Sequence, residues 1–66
     1  MKIQLNGESK TISEKTTVHN LLEEHKLQPE RVVVELNKEI LNKNDFITTF
    51  LSEGDSVEVI QFVPGG

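Results

Sequence analysis

The residues that could do chemistry in this chain are few and, except at one end, scattered. His19 and His25 stand six positions apart, and there is no cysteine to complete a metal-ligand set or a thiolate–imidazole pair with them. His25 falls on the apolar stripe of a candidate helix, where a partly buried histidine in the last turn is favoured by the helix dipole when charged. His19 falls on the solvated side. Glu23 and Glu24 are adjacent, so on a helix they diverge and cannot work as a paired acid and base. No serine or threonine sits in a nucleophile-elbow or triad setting. Gly54, in a Glu-Gly-Asp turn, is too isolated for a phosphate cradle, which takes several glycines leading into a helix.

What remains is the ending Phe62-Val63-Pro64-Gly65-Gly66. On its own a terminal glycine pair reads as a frayed end. A terminal α-carboxyl, with a pKa of about 3.5, is an anion at neutral pH, and a carboxylate is a poor electrophile. To transfer it, or to put sulfur on it, an external enzyme must first activate it, for instance as an acyl-adenylate, using ATP and magnesium in a closed site. Gly65 and Gly66 suit passage through a narrow channel, having no side chains and a wide range of backbone angles. Pro64 removes a backbone donor and restricts the chain, which lowers the ordering cost on binding. From Val63 to Gly66 the tail reaches about 13 Å when extended.

Such a tail needs a mount, and the elements that would form one follow in order. Residues 2–6 alternate, with Ile3 and Leu5 on one face. Asn6-Gly7 is a two-residue turn signal, since both residues accept positive φ, and residues 8–13 return as a second, edge or short strand. Thr16-Thr17 offers a helix N-cap. Val18, Leu21, Leu22 and His25 then form one helical stripe at i, i+3, i+4 and i+7, and Gln28-Pro29 closes the helix. Two to three turns are too few to be stable alone in water, so the helix must lie on a sheet. The β-branched run 31–37 predicts an interior strand with Val32, Val34 and Leu36 facing the helix. Lys38-Glu39 reads as a turn into a short strand at 39–41. Asn44 or Asp45 is expected to cap a turn whose Phe46, Ile47, Phe50 and Leu51 close one end of the core. Glu53-Gly54-Asp55 turns into a last strand, 56–63. Its Val57 and Val59 face the helix; Glu58, Ile60 and Phe62 face out. An outward apolar pair beside the tail predicts that Ile60 and Phe62 form a partner-docking patch; the alternatives are a Phe62 folded over the sheet edge or a homodimer contact. One helix across one face of a mixed sheet, with the third or the final strand parallel to the first, is an α+β, β-grasp (ubiquitin-like) arrangement. Residues 1–62 form the single domain and residues 63–66 a flexible Gly-Gly tail.

Composition narrows the function classes. Sixty-six residues make one small domain, in which only about 60% of the unfolded surface is buried. Without cysteine, neither disulfide nor zinc can staple it, so its aliphatic residues must supply the core. Eleven acids against seven bases, a net charge of −4, argue against nucleic acid as a partner and permit one with a basic docking face. No apolar run approaches the length of a membrane span. The expected location is the cytoplasm.

Four segments together resemble the ThiS family of thiamine-biosynthesis sulfur carriers. They are the helix start Thr17 to Leu22 (Thr-Val-X-X-Leu-Leu), the strand Val33-Val34-Glu35-Leu36-Asn37, the turn and strand from Glu53-Gly54-Asp55 through Val57-Glu58, and the terminal Gly65-Gly66. Their order and spacing cover nearly the whole chain. The resemblance implies a β-grasp fold and a carrier that is a cosubstrate rather than an enzyme. It implies that the Gly66 carboxylate is adenylated by a ubiquitin-activating-type (ThiF-like) adenylyltransferase using ATP and magnesium. The adenylate is then converted to a thiocarboxylate with sulfur from a persulfide donor protein, and a ThiG-like thiazole synthase receives the sulfur. No cofactor would be bound stably. Two features depart from the family pattern: His25 replaces an aliphatic residue, and Asn42-Lys43-Asn44 lacks the usual Pro-Arg. The small subunit of molybdopterin synthase, which shares fold and thiocarboxylate, and a ubiquitin-like modifier or binding module remain as alternatives.

Overall fold

The computed structural model describes residues 1–62. Five strands form one mixed sheet in the order β2-β1-β5-β3-β4. Strands β1 (Lys2–Leu5) and β2 (Glu8–Thr11) pair antiparallel about the Asn6-Gly7 turn, whose φ values of 51° and 83° are the left-handed pair such a tight turn requires. β2 is one of the two edge strands, in keeping with its polar sequence. Ile12, just beyond it, is buried. Strands β3 (Val32–Leu36) and β4 (Glu39–Leu41) form a second hairpin. Its turn is Asn37-Lys38, with φ 53° and 71°, one residue earlier than the expected Lys38-Glu39. β5 (Ser56–Gln61) lies at the centre, antiparallel to β3 and parallel to β1. The final strand is therefore the one that the helical crossover sets parallel to the first.

Helix α1 (Val18–Glu24) crosses one face of this sheet. Thr17 caps it: its hydroxyl accepts from the Asn20 N–H, and the Asn20 side chain accepts from the Thr17 N–H, a reciprocal box worth about 1 kcal/mol. The helix ends at Glu24, well before Gln28-Pro29. Lys26 takes a left-handed φ of 58°, the Lys26 N–H donates to the Glu23 carbonyl and the Leu27 N–H to the Leu22 carbonyl. That is a Schellman ending, and it turns Leu27 back onto the core. His25 is consequently the C-cap and exposed, not a partly buried member of the stripe; its Nδ1 donates to the Leu21 carbonyl at 3.0 Å.

The core is the space between helix and sheet, filled by Val18, Leu21 and Leu22 from above and by Ile3, Val34 and Val57 from below, each at most 2% exposed. Phe46 and Leu51 close one end, as expected. Ile47 and Phe50 do not: they are 65% and 60% exposed. The cap here is Asn42, in place of Asn44 or Asp45, and it opens a single 3-10 turn at Lys43–Asp45. Turns continue to Thr48, with Phe46 in the α region and the Thr48 N–H donating to the Asp45 carbonyl, but no α-helix forms, so the i+4 spacing that would have turned Ile47 and Phe50 inward never develops.

Candidate functional site

The strand that leads to the C-terminus is the central one. β5 is tied to β3 along five residue pairs, from Val57 opposite Leu36 to Gln61 opposite Val32. On its other side the Asn6 and Gln4 N–H groups donate to the Val57 and Asp55 carbonyls, and the Val59 N–H donates to the Asn6 side chain at 2.8 Å. Beyond Gln61, the Phe62 N–H still donates to the Arg31 carbonyl at 3.0 Å. The backbone is thus held up to Phe62, while the side chains alternate. Val57 is fully buried against the helix and Val59 partly so; Ile60 and Phe62 point out, 53% and 48% exposed. Val63, Pro64, Gly65 and Gly66, the tail expected to carry the chemistry, lie outside the described residues.

Strand pairing brings further side chains beside this pair that sequence reasoning did not assign to it. Val33 stands directly across from Ile60, and Ile40, 74% exposed, stands across from Glu35. The outer face of the sheet therefore carries a contiguous apolar strip, Phe62, Ile60, Val33 and Ile40. The signal for Ile40 was the hairpin register: once the turn is placed at Asn37-Lys38, residue 40 must share a face with 33 and 35. The same register sets Glu35 directly opposite Glu58. Arg31 and Lys38 lie at opposite ends of β3.

The histidines are not brought together. His19 meets Glu23 one turn on, Nε2 to Oε2 at 3.5 Å, a partly exposed pair of small energetic weight. His25 stands at the far end of α1, beside an open groove lined also by Leu5, Asn6, Glu8, Ser9 and Lys10. Among the described residues no three His, Cys, Asp or Glu side chains are grouped to hold a metal ion. Also among them, no helix is long and apolar enough to cross a membrane. The buried Thr16 hydroxyl donates to the Ser13 carbonyl and the Thr17 hydroxyl serves the helix cap, so neither is free as a nucleophile.

Comparison with known proteins gives one answer. The ThiS family model matches residues 3–66. A sulfur carrier protein ThiS of Bacillus subtilis is 37% identical over 65 residues, covering 97% of this chain and 98% of its own. A crystal structure of a thiamine biosynthesis protein (ThiS) from Geobacter metallireducens superposes with a TM-score of 0.84 at 39% identity, each chain covering 100% of the other. A thiazole synthase of Magnetococcus marinus is 39% identical over the whole of this chain, which spans only 20% of that protein's length. A second thiazole synthase, from Paramagnetospirillum magneticum, is matched over the same 20% share at 36% identity.

Proposed function

The chain belongs to the ThiS family, and on that premise we propose that it carries sulfur for thiamine biosynthesis on the carboxyl group of Gly66. The activating enzyme is of the ubiquitin-activating, ThiF-like type and works with ATP and magnesium. In the first step a Gly66 carboxylate oxygen attacks the α-phosphate of ATP, forming the acyl-adenylate and releasing pyrophosphate. A persulfide on a donor protein then attacks the acyl carbon and expels AMP. A thiol cleaves the resulting acyl disulfide, leaving a thiocarboxylate on Gly66 and a disulfide on the donor. The thiocarboxylate sulfur passes to the acceptor molecule on a thiazole synthase, an oxygen from that molecule or from water takes its place on the acyl carbon, and the chain returns with its carboxylate. In this cycle the domain is a cosubstrate held by cytoplasmic enzymes: Ile60 and Phe62 dock it, and Val63, Pro64 and Gly65 thread the reacting carbon into each partner.

The observation that carries this reading is the construction of β5. It is bonded to β3 along its whole length and to β1 at its start, faces Ile60 and Phe62 outward, and precedes the Gly-Gly ending in sequence. Thiazole synthases that match this chain along its whole length support the choice of acceptor. The test is intact mass spectrometry after incubation with ATP, magnesium, a ThiF-like enzyme and a persulfide donor. Exchange of one oxygen for sulfur, localised to Gly66, is the expected result. An unchanged mass with an enzyme that modifies its own carrier refutes it.

A further inference from the structure

We propose that the outer face of the sheet receives a cationic side chain, an arginine or lysine of the thiazole synthase, over the Glu35–Glu58 pair, and that this contact fixes the direction in which the tail enters that partner. The proposal rests on the reading of the chain as a carrier docked through Ile60 and Phe62, and it names what the partner must present.

Glu35 and Glu58 are directly opposed across β3 and β5 on the open face. Like charges so placed destabilise a sheet. Nothing in the domain relieves them: among the described residues no cation lies within 4.0 Å of either carboxylate, the one ion pair being His19 with Glu23. Glu35 is half-buried and Glu58 exposed, so the pair is open on its outer side. Around it lies the apolar strip: Ile40 across from Glu35, and Ile60 and Val33 in the next row towards the C-terminus. An acid pair hemmed by exposed apolar side chains is complementary to a cation set among apolar groups, whose removal from water strengthens the contact. From Glu58 to Phe62 the strand rises about 13 Å, so the acid pair and the apolar Ile60 and Phe62 are separate points of contact along β5. A partner that presents a cation at one point and an apolar pocket at the other accepts the domain in one orientation; the reversed one would leave the carboxylates unpaired.

The experiment measures affinity for the cell's own thiazole synthase by isothermal titration at two salt concentrations. The proteins compared are the native chain, Glu35→Gln/Glu58→Gln, a control Glu14→Gln/Glu24→Gln on exposed positions away from the sheet face, and Phe62→Asp. Both double variants take the net charge from −4 to −2. The expected result is about tenfold weaker binding and a flatter salt dependence for Glu35→Gln/Glu58→Gln alone, with a melting temperature about 2–4 °C higher than native. Equal loss in the control pair would assign the effect to net charge and overturn the proposal. Unchanged affinity in Glu35→Gln/Glu58→Gln beside weakened Phe62→Asp would overturn the cation contact while leaving the docking patch standing. Unchanged affinity in both would remove the docking patch as well.

Discussion

Replacing Phe62 by aspartate separates the mount from the working end, and its size can be worked out. A phenylalanine side chain offers about 200 Å² for burial. Phe62 is 48% exposed, so about 100 Å² is left for a partner to cover. At about 25 cal/mol per Å², losing that area costs docking about 2.5 kcal/mol, or some 60-fold in Kd. A loss of that size is what an aromatic anchor shows on truncation. The fold loses less than the same area would suggest, because extended-chain areas overstate what folding buries. The Phe62 N–H bond to Arg31 is also a main-chain bond that aspartate keeps. The assay titrates Phe62→Asp against the activating enzyme at 20 °C, with far-ultraviolet circular dichroism as the check on folding. A Kd within about twofold of native, with the native spectrum retained, would refute the docking role. Loss of the spectrum would show that Phe62 belongs to the core instead.

Phe46→Ala strikes the core, since Phe46 is 3% exposed where it closes the space under the helix. A loss of about 3–5 kcal/mol, from a domain holding about 3–10 kcal/mol in all, leaves a large unfolded fraction, visible as a collapse of the urea midpoint; a shift below about 1 kcal/mol would mean that Phe46 is not buried in solution. Lys26→Gly should stabilise. A non-glycine residue in the left-handed region costs about 1–2 kcal/mol, glycine's freedom in the unfolded chain returns about half of that, and the remaining gain of about 0.5–1 kcal/mol raises Tm by about 3–6 °C. A lower Tm would show that the lysine side chain contributes more than its backbone costs. Deleting Gly66 should abolish sulfur uptake in the mass assay while leaving the circular-dichroism spectrum native; an altered spectrum would tie that residue to the fold.

The fold was legible where residue type and backbone geometry agree. Asn6-Gly7 announces its hairpin because both residues accept positive φ, and Val32, Val34 and Val57 declare their face by simple alternation. It was illegible where lysine occupies a position that glycine usually marks. Lys38, in the second hairpin turn, displaced the expected turn by one residue. Lys26 ended the helix unannounced, so the stripe ran one residue too far and took in His25, leaving the inward place to Leu27. Ile47 and Phe50 differ for another reason: the segment from Lys43 to Thr48 is built of i→i−3 turns and not an α-helix, so helical spacing does not apply to it. The candidate site was half visible. Ile60 and Phe62 follow from alternation within one strand, which local sequence encodes. Val33, Ile40 and the Glu35–Glu58 opposition follow from register between strands, which a single strand's sequence does not carry.

The position of β5 in the sheet bears on why a carrier would be built this way. A terminal segment on an edge strand such as β2 would be bonded on one side only, and ends so held fray at little cost. β5 has β3 along its whole length, and β1 with the Asn6 side chain beside it as far as Val59, so opening it means breaking the sheet at its centre; Ile60 to Phe62 are held on the β3 side, out to the Arg31 carbonyl. The chain is therefore fixed in direction up to Phe62. Four residues, a span of about 13 Å when extended, separate Phe62 from the carboxyl group in sequence. At about 1–2 kcal/mol per backbone residue, any residue that had to be released from the sheet on binding would subtract from docking. Exposing Ile60 and Phe62 on the last bonded stretch puts the contact that supplies binding energy beside the residues that lead to the reacting carbon. Moving that apolar pair elsewhere on the surface would keep the area but lengthen the chain between the contact and the carboxyl group.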